Sequence, residues 1–168
     1  MTVRTGISQV VQDQSANPPV KTNQLEKGGI VRTAQGYLAA ANFPGGTVGQ
    51  WYTFVRLPAR ARVLGIFLTG ATTTTGAVRC GLYRPDGIAI DDDVFATNYA
   101  MSVEKDRADI MVTPTALERS QSLAEAYATA IGTAGATNDV EFDIALAIVT
   151  VLGSAQPHLL EVDYVLPE

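Results

Sequence analysis

Two runs near the C-terminus set the terms for the rest of the chain. Between Val140 and Leu152, Phe142, Ile144, Leu146, Ile148 and Thr150 fall on one side of an extended backbone. Glu141, Asp143, Ala145, Ala147, Val149 and Val151 fall on the other. Leu159 to Leu166 repeats the pattern, with Leu160, Val162, Tyr164 and Leu166 set against Leu159, Glu161, Asp163 and Val165. Successive side chains of a strand point to opposite faces, so a period of two marks a strand with one face in a core. Acidic residues on the second face are what a half-exposed antiparallel sheet carries.

Upstream, short apolar stretches recur between turn signals. Ile30 to Ala40 reads as a first strand, closed by Asn42-Phe43-Pro44-Gly45-Gly46. In Trp51 to Leu57, Trp51, Thr53, Val55 and Leu57 oppose Tyr52, Phe54 and Arg56. Both sides are largely apolar, which predicts a strand covered on both faces with Trp51 buried. Pro58 and Arg60 interrupt it, Val63 to Leu68 (VLGIFL) resumes, and Thr69 to Gly76 (TGATTTTG) reads as a loop. Ala77 to Tyr83 is a further strand, followed by the turn Arg84-Pro85-Asp86-Gly87 and a return strand at Ile88-Ala89-Ile90. Proline suits the second turn position and glycine accepts a positive φ. Val94 to Val103 and Asp109 to Val112 are strand-like but alternate weakly.

One helix breaks the series. Ser122-Leu123-Ala124-Glu125 matches a capping box, Leu123, Tyr127 and Ile131 recur every four residues, and Gly132 sits at the C-terminal cap position. The spacing predicts a helix over 123–131, or one starting as early as Thr115. Short strands with one short helix predict an all-β fold: an antiparallel β-sandwich or jelly roll.

The first residues differ. VQDQSANPPVKTNQLEKGG is polar and holds Pro18-Pro19 in tandem before Gly28-Gly29. Adjacent prolines fix φ and disfavour helix, so residues 1–27 read as an extended N-terminal arm and 28–168 as one domain. Such an arm is either a frayed terminus or a strap that orders across a neighbouring subunit.

Charge and cysteine content exclude several functions. The net charge is −5 and the 12 basic residues are scattered, which argues against a phosphate-neutralising nucleic-acid binder. Cys80 is the sole cysteine, so neither an internal disulfide nor a cysteine-based zinc site is available. No signal segment is evident, and the most apolar run, Ile144 to Leu152, is too short to span a bilayer, so the chain reads as soluble, with no membrane partner. Ala, Thr and Gly supply 56 of the 168 residues. These side chains permit flat, close approach between backbones, as subunit contacts require, and a charged fraction of 17% agrees with a partly covered surface.

No catalytic constellation emerges. His158, the sole histidine, lies beside Pro157 with no Gly-x-Ser-x-Gly elbow elsewhere, and reads as a solvent-exposed turn residue. Asp86, Asp91, Asp92 and Asp93 fit no calcium-loop spacing and read as an acidic strand end. Asp139, Glu141 and Asp143 offer the carboxylates of a glycosidase but without the aromatics that hold sugars, so they read as the outward face of a strand. Gly45, Gly46 and Gly49 lack a phosphate-loop lysine, and Cys80 reads as a small core residue. The chain is therefore expected to be no enzyme, with no metal, no cofactor and no small-molecule substrate.

Several elements in order resemble small all-β accessory proteins of tailed-phage virions, the decoration or cement proteins of the capsid exterior. They are Tyr52-Thr53-Phe54-Val55-Arg56-Leu57-Pro58, VLGIFL with its Gly/Thr loop, VRCGLYRPDG with the acidic stretch after it, LAEAYATAIG, and EFDIALAIVTVL. The resemblance runs from about Tyr37 to Val165. It implies a jelly roll made in the host cytoplasm that oligomerises, with a homotrimer favoured, and binds the major capsid protein and copies of itself on the virion. The arm (Val10, Val11, Pro18, Pro19, Val20) and the loop Thr72, Thr73, Thr74 and Thr75, expected to be exposed, are the candidate contact residues. The alternatives are a tail- or neck-associated virion protein, or a receptor- or carbohydrate-binding β-sandwich that would use Trp51, Tyr37 and Tyr99.

Overall fold

A computed structural model describes residues 30–42, 47–71, 75–102, 105–111, 122–131 and 141–166. The strands are β1 (Val31–Leu38), β2 (Trp51–Pro58), β3 (Arg62–Gly70), β4 (Ala77–Tyr83), β5 (Ala89–Ala100), β6 (Lys105–Asp109), β7 (Glu141–Thr150) and β8 (His158–Val165). Helix α1 spans Leu123–Ile131, and a 3-10 turn at Ala40–Asn42 follows β1. Two four-stranded sheets result, ordered β1-β8-β3-β6 and β2-β7-β4-β5. Every pairing among them is antiparallel.

The pairings are nested: β1 with β8, β2 with β7, β3 with β6 and β4 with β5. This is a chain doubled back at the β4–β5 hairpin and rolled into two sheets, the jelly-roll form of the sandwich. The doubling point is the Arg84–Gly87 turn. Gly87 has φ +87°, its N–H donates to the Arg84 carbonyl at 2.9 Å, and Arg84 N–H donates to Ile88 at 2.9 Å.

The core fills the space between the sheets. Phe142, Ile144, Leu146 and Ile148 of β7 and Val78, Cys80 and Leu82 of β4 are buried on one side. Ile66 and Leu68 of β3 and Leu160 and Val162 of β8 are buried on the other, with Ile66 opposite Val162 and Leu68 opposite Leu160. Each such side chain contributes about 1.5–3 kcal/mol on leaving water.

The helix forms where the capping box places it. Glu125 accepts from Ser122 N–H at 2.6 Å, and Ser122 Oγ accepts from Glu125 N–H at 3.3 Å. Those contacts hold the Glu125 carboxyl below its ordinary range, the Ser122 backbone hydrogen bond most of all. Two further N-terminal donors find the turn between β2 and β3: Leu123 N–H reaches Ala61 and Ala124 N–H reaches Ala59, both at 2.9 Å. Leu123 and Ala126 are buried, and Tyr127 packs on Phe142 with ring centroids 5.5 Å apart. An earlier helix start at Thr115 and the Gly132 cap lie outside the described residues.

The return strand at Ile88–Ile90 and the weakly alternating stretch from Val94 join in one twelve-residue strand, β5, while Asp109 ends β6 and Ile110 and Met111 follow it outside any strand. Cys80 pairs with Ala96 and Leu82 with Asp91, so Asp92 to Phe95 oppose Gly81 alone. A Cβ on Gly81 would collide with the Asp92 backbone, so glycine there lets the bulge lie across the sheet. The extra residues shift the phase of the alternation, which is why it fades in the sequence. Among the described residues, no helix is long and apolar enough to cross a membrane.

The sheets meet closely at β1 and β2. Gly36 lies opposite Leu160 on the core side, and a Cβ there would run into the backbone of Phe54. Overpacking usually costs ~1–3 kcal/mol, and here the obstacle is backbone, which cannot swing aside. Gly36→Ala is therefore expected to lower the unfolding free energy read from urea melts by about 3 kcal/mol or more; an unchanged midpoint would contradict the close approach.

Candidate functional site

The side chains that raised chemical possibilities do not converge. His158, expected in solvent, is 1% exposed and begins β8 on the core side, between Leu38 of β1 and Gly70 of β3. A Cβ on Gly70 would overlap the imidazole, so the bare glycine makes its berth. Burial lowers the His158 pKa from its ordinary value. The ring is a core group, and the turn-residue expectation fails because its pocket depends on a residue 88 positions away.

Asp143 also departs from expectation. It is 3% exposed, and Arg56 grips it with two contacts, Nε to Oδ1 at 2.6 Å and Nη2 to Oδ2 at 3.0 Å. The side-chain hydrogen bond to Asp143 raises the Arg56 pKa. Both carboxylate oxygens are spent on a structural pair, while Glu141 is exposed. No acid–base couple forms, and Asp139 lies outside the described residues.

The aspartates of 86–93 are likewise engaged one by one. Asp86 accepts from Ile88 N–H at 3.2 Å, Asp91 accepts from Asp93 N–H at 3.3 Å, and Asp92 pairs with Arg79 at 2.6 Å. Among the described residues, no group of three metal-ligating side chains comes together. Burial, then a hydrogen bond to Asp93, raises the Asp91 pKa. Cys80 is fully buried, and desolvation pushes its thiol far up, as befits a core residue.

Trp51 is not buried: it is 41% exposed. It lies opposite Ala147 on the outer face of the β2-β7-β4-β5 sheet and stacks on Tyr83 at 5.1 Å. The alternation set Trp51 on the face of Val55 and Leu57, but the bulge between Thr53 and Val55 puts it out of phase with those core residues. Tyr37 is exposed on the outer face of the other sheet, and Tyr99 packs against the core. The three aromatics thus lie on different parts of the sandwich and form no joint sugar platform.

The outer face of the β1-β8-β3-β6 sheet is an ordered polar ladder. Thr33 donates to Asp163 at 2.6 Å and Gln35 to Glu161 at 2.8 Å. From β6, Arg107 crosses the Phe67 ring, 3.9 Å from its centroid, to reach Glu161 and Asp163, each at 3.3 Å. A left-handed backbone at Arg107 (φ 48°) aims it there, beside the register shift between β3 and β6. The sequence showed Glu161 and Asp163 facing outward but held no sign of the partner in β6.

At one end of this face a groove of about 680 Å³ opens among Tyr37, Thr69, Asp106, Pro157 and Leu159, with Gly70–Ala71 beside them. Sequence reading missed it, because its walls come from four separated segments. Of the expected contact residues, Val10, Val11, Pro18, Pro19, Val20, Thr72, Thr73 and Thr74 lie outside the described residues. Thr75 is exposed, and its carbonyl accepts from Gly153 N–H at 3.3 Å.

No protein-family model matches this sequence, and no curated protein matches it. Solved structures do. A chain from the capsid of Ralstonia phage GP4 overlays with a TM-score of 0.56 at 10% identity, covering 82% of this chain and 85% of that one. That likeness is one of fold. Chains from the Cyanophage Pam1 capsid asymmetric unit and from the acidic stable capsid of Helicobacter pylori bacteriophage KHP30 each give a TM-score of 0.42, at 15% and 14% identity. They cover 83% and 84% of this chain and 87% and 91% of their own.

The buried histidine yields a pH prediction. With its pKa lowered in the fold, His158 is held neutral, while the unfolded chain takes a proton near pH 6.5. Stability from this group is fully present above that value and is lost as pH falls toward the folded pKa, at no more than about 1.4 kcal/mol per pH unit. Denaturant melts from pH 7.5 to 5 should show a decline that is shallower in His158→Gln; parallel curves would contradict a buried neutral imidazole.

Proposed function

We propose that this chain is a non-catalytic structural protein of a tailed-phage virion, which binds the outside of the capsid shell and stabilises it as a decoration protein. The overlay with a phage capsid chain across more than four-fifths of both chains carries this reading. The way Asp143, Asp92, Asp163 and the histidine are consumed in ion pairs and packing agrees with a role that has no chemical step.

The mechanism is linkage. A protein that binds the assembled shell and not its disrupted state stabilises that shell by mass action. Repeating a modest contact by the symmetry of the shell multiplies it, and self-association into a trimer matches a threefold position. The arm residues Val10, Val11, Pro18, Pro19 and Val20 and the loop Thr72–Thr75 are the proposed contacts with the major capsid protein and neighbouring copies. Thr75 stands exposed at the foot of that loop.

Particles stripped of this protein should regain it from solution and disrupt at a higher temperature when it is bound. Deleting residues 1–25 should abolish rebinding while leaving the sandwich folded by circular dichroism. Rebinding without any change in shell disruption would contradict a stabilising role, and full rebinding of the deletion would remove the arm as the anchor.

A further inference from the structure

We infer that Arg60, at the tip of the turn between β2 and β3, enters the Tyr37–Asp106 groove of a second copy of this chain, with its guanidinium against the Asp106 carboxylate and the Tyr37 ring. This rests on the self-association proposed above and deepens it by naming the two surfaces that meet.

The turn is a braced knob. Ala61 N–H donates to the Pro58 carbonyl at 2.8 Å and closes it. The first N–H groups of α1 hold it from behind, Leu123 on the Ala61 carbonyl and Ala124 on that of Ala59, both at 2.9 Å. Arg60 is the exposed residue of this turn, and no described carboxylate pairs with it. A backbone already fixed loses little entropy on docking.

The groove is the matching socket. Tyr37, Leu159 and Thr69 form one row across β1, β8 and β3, and Asp106 closes the row from β6. Tyr37 is 65% exposed. Asp106 is the charged residue of this lining, and it is exposed. The neighbouring Arg107 is turned away to Glu161 and Asp163, so no described cation neutralises Asp106. A carboxylate beside an aromatic face suits a guanidinium, which pairs with the one in its plane and stacks on the other. Arginine and tyrosine are also the side chains that most often anchor interfaces.

Knob and socket cannot meet within one chain. The turn precedes Arg62 at the start of β3, and Thr69 and Gly70 stand at its end. That strand is nine residues long, about 26 Å from end to end at ~3.3 Å per step, well beyond one side chain. The contact therefore joins two copies through unlike surfaces. Only such a heterologous contact can close a ring of three, because a twofold contact pairs a surface with itself and stops at two. The knob lies at the end of the strands and the groove opens on a face, so successive copies are turned relative to one another, as a closed ring requires.

Sedimentation equilibrium of the full-length protein, with no shell present, tests the contact. The chain should form trimers. Asp106→Arg and Arg60→Asp should each raise the concentration of half-assembly by about tenfold or more, and the two together should restore it. Tyr37→Ser, which leaves every charge in place, should weaken assembly as well, and added salt should weaken the unmodified pair. Circular dichroism checks that each variant keeps its sandwich. A monomer at all concentrations, a dimer that grows no further, or trimers indifferent to either reversal would overturn the inference. So would a double reversal that assembles no better than the single ones. Trimers that behave as expected but do not bind particles would contradict the decoration reading and leave this contact standing.

Discussion

The second sheet is organised around β7, which is buried on both faces although only one of them meets the core. On the inner side Phe142, Ile144, Leu146 and Ile148 face the opposing sheet. On the outer side Ala145 and Ala147 are also closed off, at 0% and 1% exposure. Their shortness is what permits this. The Trp51–Tyr83 stack, the Arg56–Asp143 pair and the β5 bulge crossing Gly81 share that face, and small residues let them lie close to it. Because β7 pairs with both β2 and β4, the register of these three strands follows from it, and β5 takes its register from β4.

The same economy of side chains governs the other contacts. Gly36 allows one sheet edge to touch the other, and Gly70 opens a berth for the imidazole of His158. A chain rich in alanine and glycine gains close backbone approach at several points and gives up bulk that larger residues must replace. Tyr83, Phe95 and Phe142, all fully buried, supply much of that bulk.

How much of this could be read from residues alone follows the range of each signal. Strands at 51–57, 77–83, 140–152 and 159–166, the Arg84–Gly87 turn and the capped helix at 123–131 depend on neighbours in sequence, and all are present in the fold. The sandwich class followed from them. What failed was non-local. Period two says that Asp143 and Ile144 point apart, but not that Arg56 closes over one of them. The exposure of Trp51 and the faded pattern of β5 come from bulges, which a fixed period cannot register. The groove at Tyr37 and the Arg107 ladder join segments that are far apart in the sequence, so no local spacing announces either.

A sandwich whose Asp143, Asp92, Glu161 and Asp163 are held in ion pairs suits a part that works by being bound many times over. That account is tested most directly by the copy number of this chain in purified virus particles, measured by quantitative mass spectrometry against the major shell subunit. The account predicts a fixed stoichiometric proportion to that subunit, as symmetric coverage of the shell requires. A handful of copies per particle would place the chain at a neck or tail ring, and its absence from particles would contradict the virion role altogether.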